Sequence, residues 1–248
     1  MRLKNQLLIE NGLIYNMNLK DQNVLITGAA EGLGLAISNA FDNESANLFL
    51  IDKNIKQLNS NGFRNSKNYC VDLSNISELN NFVSLLYDQN IEINTLIHNA
   101  SILTPTSFDK TSEEHWDQVS NITLKTAFIL SKFVWKKMKM KKNGVIIFVS
   151  SRSGIEGFKD ESAYCAAKHG LEGLMKSLSL EGSDHGIQAF SITPGMFMNT
   201  PMSHQNYTEE YKKKWVNPLL LTSAFLKLAS RKYGHLTGQH LNAWKLSN

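Results

Sequence analysis

From residue 23 onward the chain alternates short apolar runs with longer stretches in which apolar positions return every three or four residues. The runs are Val24-Leu25-Ile26, Leu48-Phe49-Leu50-Ile51, Thr95-Leu96-Ile97, Val145-Ile146-Ile147-Phe148-Val149 and Ile187 to Ile192, with a further strand around Tyr69-Cys70-Val71. Short, β-branched and apolar throughout, they read as parallel strands covered on both faces. Helical periods fall near 32–44, 76–89, 112–141 and 162–182. In the last, Ala167, Leu171, Leu174 and Leu178 make one apolar face. This alternation predicts an α/β fold: a single Rossmann-type, doubly wound parallel sheet with helices on both faces and right-handed crossovers. Ligands of such sheets bind at the carboxyl ends of the strands. Residues 1–20 stand outside the pattern. Their Asn11-Gly12 sits between apolar pairs, so this N-terminal extension is either a hairpin or disordered, and the domain proper covers 21–248.

Composition agrees with a chain that buries a core, since 42% of its 248 residues are hydrophobic and 19% charged. A net charge of +4 changes little. The one dense basic run, Lys136 to Lys142, closes a predicted helix, where cations complement the macrodipole, and it carries no interleaved aromatic platform. No nucleic-acid partner is therefore expected. Two cysteines, Cys70 and Cys165, exclude a disulfide framework, and no paired spacing points to a metal. A reducing, cytoplasmic setting is expected. Glu10 and Asn11 interrupt the apolar run Leu7-Leu8-Ile9, so neither a signal-peptide core nor a membrane helix is expected there, nor a membrane association elsewhere.

The chemistry begins at Thr27-Gly28-Ala29-Ala30-Glu31-Gly32-Leu33-Gly34, which follows the first strand and opens the first helix. Gly28 permits the tight turn, Gly32 lets backbone approach a pyrophosphate, and Gly34 allows close packing, while the Glu31, Gly32 and Leu33 end of the helix offers free amides to phosphate. A glycine-rich turn that holds no nucleotide is the plain alternative. The second strand ends at Asp52, eighteen residues past Gly34, where a carboxylate accepts ribose hydroxyls and repels a 2′-phosphate. NAD is thus expected, with NADP less favoured; Lys53 is the neighbour that can neutralise such a phosphate. Asp72, followed by Leu73, either touches the adenine edge or stands as an acid at a helix N-terminus.

Tyr164-Cys165-Ala166-Ala167-Lys168 opens the most regular helix, and a spacing of four puts phenol and ammonium on one face. A free phenol, with a pKa of about 10, is a poor base at neutral pH; a neighbouring cation is expected to lower it. Ser151 lies thirteen residues before Tyr164, just beyond the strand ending at Ser150, where its hydroxyl can hold a substrate oxygen while Tyr164 transfers the proton.

Taken together, these motifs resemble the short-chain dehydrogenase/reductase family over roughly residues 19 to 241. The resemblance implies that Asn121 is a fourth catalytic residue, holding a water that links Lys168 to solvent. It makes Asn99 and Ala100, within His98-Asn99-Ala100-Ser101, supports of the sheet that line the adenosine side. By the same resemblance Pro194-Gly195 flanks the nicotinamide, Tyr164 and Lys168 also contact the cofactor, and Thr237-Gly238-Gln239 matches the last strand. It further implies a homodimer or homotetramer built on the helices near 112–141 and 162–182. The chain departs from the family at four places. His98 and Ser101 replace Asn and Gly. Asn199, with Thr200 one later, stands where Thr is expected, and Asn242-Ala243-Trp244-Lys245 replaces Asp-Gly-Gly.

The expected activity is reversible hydride transfer between NAD and a secondary alcohol or ketone. Residues 196–218 would form the substrate lid, mixing Met196, Phe197, Met198, Met202 and Trp215 with His204 and Lys212-Lys213-Lys214. Such a wall suits a hydroxy acid, a sugar or polyol, or an acyl thioester, and Arg152 beside Ser151 favours a sugar-like or small polar hydroxy compound. The alternatives are a 3-oxoacyl thioester reductase, a non-catalytic NAD-binding sensor, and a nucleotide-sugar epimerase or dehydratase, the last of which resembles longer chains.

Overall fold

Each apolar run becomes a strand whose alternate residues enter different cores. In β3 (Asn23–Thr27), Val24 and Ile26 face one cluster and Leu25 the other; in β4 (Asn47–Asp52), Leu48 and Leu50 face the first, and Phe49 and Ile51 the second. That two-sided burial is the reason these strands lack polar alternation. The computed structural model describes residues 8–10, 13–15 and 19–248. With β5 (Ser66–Cys70), β6 (Thr95–His98), β7 (Gly144–Val149), β8 (Ile187–Thr193) and β9 (His240–Asn242), these strands form one parallel sheet in the order β5-β4-β3-β6-β7-β8-β9. The order reverses between β3 and β6, which opens a crevice beyond their carboxyl ends.

Helices cover both faces. α1 (Gly32–Asn43) and α9 (Thr222–Ala229) enclose one core, and α3 (Ile76–Asp88), α5 (Thr126–Lys141) and α6 (Ser162–Gly182) the other. The remaining helices are short: α2 (Ile55–Ser60), α4 (Glu113–Ser120), α7 (Pro201–Asn206), α8 (Glu209–Lys212) and α10 (Ala243–Ser247). β1 (Leu8–Glu10) and β2 (Leu13–Tyr15) pair antiparallel, with Glu10 opposite Leu13. Asn11 and Gly12, which carry the turn expected there, lie outside the described residues.

Two elements differ from the periodicity. The helix expected over 112–141 is broken by a π turn at Asn121–Lys125. Asn121 O accepts from both the Thr126 amide and Thr126 Oγ1 (2.8 Å), and a ring nitrogen of His98 donates to Thr123 O (2.9 Å). The last strand is His240–Asn242 rather than 237–239. Gly238 takes a left-handed φ of 80° and its amide bonds Ala189 O at 2.9 Å, so 237–238 is the turn that precedes pairing.

Candidate active site

Two glycines give the β3–α1 turn its shape: Gly28 and Gly32 adopt left-handed φ angles of 63° and 58°. A Cβ on Gly34 would collide with the Gly28 carbonyl. Glu31, the residue before α1, is exposed and makes no side-chain cap, so the helix N-terminus keeps donors for an anion. Leu33 is buried beneath the turn.

Asp52 reaches in from the end of β4, accepting from the Ala30 amide (3.0 Å) and the Asn54 amide (2.9 Å). From the other side the Asn99 side chain donates to the Thr27 and Gly28 carbonyls (3.1 Å each). Thr27 Oγ1 accepts from the amides of Asn99 (3.1 Å) and Ala100 (3.0 Å). A turn opened by two left-handed glycines, an uncapped helix end and a carboxylate beside them together fit a dinucleotide.

Asp72 anchors the turn ahead of α3, whose N-cap is Asn75 and whose first-turn acid is Glu78. Hydrogen bonds from the Ser74 hydroxyl (2.7 Å) and amide (2.9 Å) hold the Asp72 carboxyl below the usual range against partial burial, with Lys53 assisting. It shapes the turn into α3, and Leu73 beside it is buried.

His98 is buried, and burial, with the nearby charge of Lys168, pushes its imidazolium down to about 3. A carbonyl only accepts, so Nε2 carries the proton toward Thr123 O, and Nδ1 accepts from the Thr27 hydroxyl at 2.9 Å. The residue thereby ties the glycine turn to the π turn that carries Asn121. The Asn121 amide itself donates to Ser74 O at 3.2 Å.

At the end of β7, Ser151 caps a short 3-10 turn, its Oγ accepting from the Ser153 amide at 3.2 Å, and its hydroxyl stands beside the Tyr164 phenol. α6 presents Tyr164 and Lys168 on the face turned toward the sheet, both buried. The Lys168 ammonium donates to Val149 O at 2.7 Å and stands 5.4 Å from the centre of the Tyr164 ring. Ser151, Tyr164 and Lys168 thus meet at one sheet edge, across from the cofactor turn.

The electrostatics differ from the sequence expectation. Burial pushes the Tyr164 phenol well above its usual value; Ser151 and, more weakly, Ser101 oppose this by hydrogen bonding, while Tyr207 and Glu161 add to it. Burial also pushes Lys168 down to about 7, with Glu172 opposing. The cation expected to lower the phenol is itself disfavoured by the enclosure that raises the phenol, so Tyr164 stands here as a protonated donor.

Ser101 is a further hydroxyl at the phenol that sequence reasoning missed. It also lies 3.0 Å from Thr123 Oγ1. Its replacement of a family glycine was the available signal.

Leu103, Val119, Ala163 and Ala167, with Ile102 and Met202, pack around the Tyr164 ring, while Thr104, Thr106, Thr111, His115 and Glu161 line the cavity beside it. α7 closes over the apolar cluster, Asn206 donating to Leu103 O at 2.9 Å. Thr200 is buried against Gly32, where an added Cβ would sit 3.4 Å from its methyl, whereas exposed Asn199 bonds His204. Thr200, not Asn199, therefore faces the glycine turn. Pro194 O accepts from the Trp244 amide (3.1 Å), and Gly195, at φ 76°, packs against Asn242. Arg152 pairs with Glu156 at 2.7 Å and lies over the Phe158 ring, its side chain 65% exposed, so it gives the pocket no cation in this structure. Among the described residues no His, Cys, Asp and Glu side chains group to hold a metal, and no helix is long and apolar enough to cross a membrane.

A family model described as short chain dehydrogenase matches residues 22–211. The chain is 33% identical over 230 residues to the 3-oxoacyl-(acyl-carrier-protein) reductase FabG of Rickettsia typhi, covering 88% of this chain and 93% of that protein. It is 29% identical to the sorbitol-6-phosphate 2-dehydrogenase of Klebsiella pneumoniae, covering 78% and 75%. Among solved structures, 4-hydroxyisoleucine dehydrogenase complexed with NADH superimposes with a TM-score of 0.82 at 27% identity, covering 90% of this chain and 96% of that one. With a family model over most of its length and a relative of this identity, the chain belongs to the short-chain dehydrogenases, nicotinamide-dependent oxidoreductases that act on hydroxyl and keto groups.

Proposed function

We propose that the protein interconverts a secondary alcohol and a ketone, with NAD as its cofactor and Tyr164 as its proton carrier. The observation that carries this reading is the meeting of Ser151, Tyr164 and Lys168 at the strand edge facing the glycine turn. When bound, the nicotinamide supplies or accepts the hydride. Ser151 holds the substrate oxygen and Tyr164 donates a proton to it in reduction or takes it in oxidation. Lys168 holds positive charge beneath the phenol, and Asn121, by the family resemblance, carries the water that links Lys168 to solvent. A sensor without turnover would not need this set. Assay of the purified protein with NADH and a panel of ketones tests the reading, and binding without turnover across the panel would favour the sensor.

A second, finer reading is reduction of a 3-oxoacyl thioester. It is favoured by the apolar cluster of Leu103, Val119 and Met202 around the Tyr164 ring, by the engagement of Arg152 with Glu156, and by the similarity to the Rickettsia reductase. Acetoacetyl thioester should then be turned over faster than sugar ketones of similar size; the reverse ranking would restore the sugar-like substrate.

NAD is preferred on the strength of Asp52, whose carboxylate is fixed beside the turn where the ribose would lie. NADH should bind at least about tenfold more tightly than NADPH, roughly 1.4 kcal/mol, and Asp52→Ser should narrow that ratio. Equal or tighter NADPH binding by the native protein would mean that Lys53 overrides the carboxylate.

A homodimer or homotetramer belongs to the same reading, supported by Trp116 on α4 and Phe128 on α5, which are 42% and 51% exposed in the single chain. Light scattering should give an oligomer at micromolar concentration, and a clean monomer would remove the proposal. A cytoplasmic location also belongs to it, supported by two cysteines that form no disulfide.

A further inference from the structure

Three successive residues at the end of β7 meet three successive turns of α6. Val149 O accepts from Lys168 Nζ (2.7 Å), Ser150 Oγ donates to Glu172 Oε1 (2.5 Å), and the Ser151 hydroxyl stands beside the Tyr164 phenol. Glu172 follows Lys168 by four residues, as Lys168 follows Tyr164, so all three share one buried face. The Glu172 carboxylate also accepts from Ser191 Oγ of β8 (2.6 Å) and His240 Nδ1 of β9 (2.9 Å). A carboxylate only accepts, so the His240 proton sits on Nδ1. Gly154 keeps the space open, since a Cβ there would stand 2.7 Å from Ser150 Oγ and 3.3 Å from Glu172 Oε1.

Burial by itself would raise this carboxyl, but the bonds from His240, Ser150 and Ser191 outweigh it and hold it below the usual range. A buried carboxylate supplied with three donors keeps its charge at neutral pH. Lys168 donates to a backbone carbonyl, and the negative charge that opposes its burial is that of Glu172.

We propose that Glu172 is a positioning residue for the reaction, holding the charge of Lys168 and pinning the ends of β7, β8 and β9 to α6 so that Ser151 and Tyr164 stay in register. The inference rests on the roles given above to Tyr164 and Lys168. The groups facing Glu172 are Lys168 on its own helix and Ser150, Ser191 and His240 on the strands, of which Lys168 and His240 are the ionisable side chains.

The test labels lysine Cε with ¹³C and follows the Lys168 resonance, identified by its absence in Lys168→Met, through a pH titration of the protein alone. In Glu172→Gln the midpoint should fall about tenfold or more in proton affinity, with Glu172→Asp in between. In parallel, with NADH and acetoacetyl thioester as the probe, Glu172→Gln should lose about tenfold or more in kcat with KM little changed. Its pH profile should move with the NMR midpoint, and Glu172→Asp should restore part of both. An unchanged midpoint in a folded Glu172→Gln protein, even one with a lower Tm, would overturn the proposal, and so would unchanged kcat. If the Gln variant does not fold, the Asp variant decides, by a smaller fall in the same direction or by none. Full turnover by Lys168→Met would instead refute the mechanism, leaving the titration result standing.

Discussion

Tyr164→Phe is expected to lower turnover by about 10²–10⁴-fold, the usual contribution of a general acid–base group. The ring sits in an apolar cluster with Leu103, Val119 and Ala163, and phenylalanine keeps that packing. Only the hydroxyl that meets Ser151 and Ser101 is lost. NADH affinity, set by the glycine turn and Asp52, should stay within about twofold, so the defect falls on the chemical step. Steady-state kinetics with a cofactor titration separate the two. Near-native turnover in the variant would require another proton carrier.

Lys168→Met should produce the opposite signs in stability and activity. Burial holds the ammonium at about 7 in the folded chain, against 10.5 for an unhindered lysine. Folding therefore disfavours the protonated form. The resulting destabilisation is complete below about pH 7 and disappears as pH rises toward the unfolded value. Methionine fills the space without charge, so the variant should be more stable near pH 6.5 by a few kcal/mol, on the order of the cost of holding a buried cation. Loss of the bond to Val149 O offsets about 1 kcal/mol of this. The advantage should shrink steadily toward pH 9.5, while turnover falls steeply at every pH. Denaturant unfolding at the two pH values measures it, and a variant less stable at both would contradict the account. A site group that costs stability is a common trade for activity.

The sheet was legible because its strands are buried on both faces and so carry unbroken β-branched runs; Val145 to Val149 needs no context to be read. The glycine turn, Asp52 and the Tyr164, Lys168 and Ser151 set were legible because their chemistry depends on spacing within one element or at one strand end. Less was readable where a side chain far along the chain decides the local backbone. The π turn at Asn121 depends on His98 and on Thr126 bonding back to Asn121 O, and periodicity over 112–141 contains no sign of it. β9 begins three residues later than the matched motif because Gly238 turns first. Arg152 looked available to a substrate because the 3-10 turn at Arg152–Gly154, which brings Glu156 four residues on back to it, carries no helical period in the sequence. The sign of the Tyr164 shift was missed for a related reason. Spacing places a cation near the phenol but does not reveal that burial weakens both charges.

The central claim is that this chain moves a hydride between NAD and a carbonyl carbon while Tyr164 moves the proton. NADH deuterated at the transferring position, incubated with acetoacetyl thioester and the wild-type protein, tests it most directly by mass spectrometry of the product. The account predicts one deuterium on the new carbinol carbon, formed by the wild type and at least about 10²-fold more slowly by Tyr164→Phe. NADH oxidation with no deuterium in the product, or equal labelling rates for the two proteins, would contradict it.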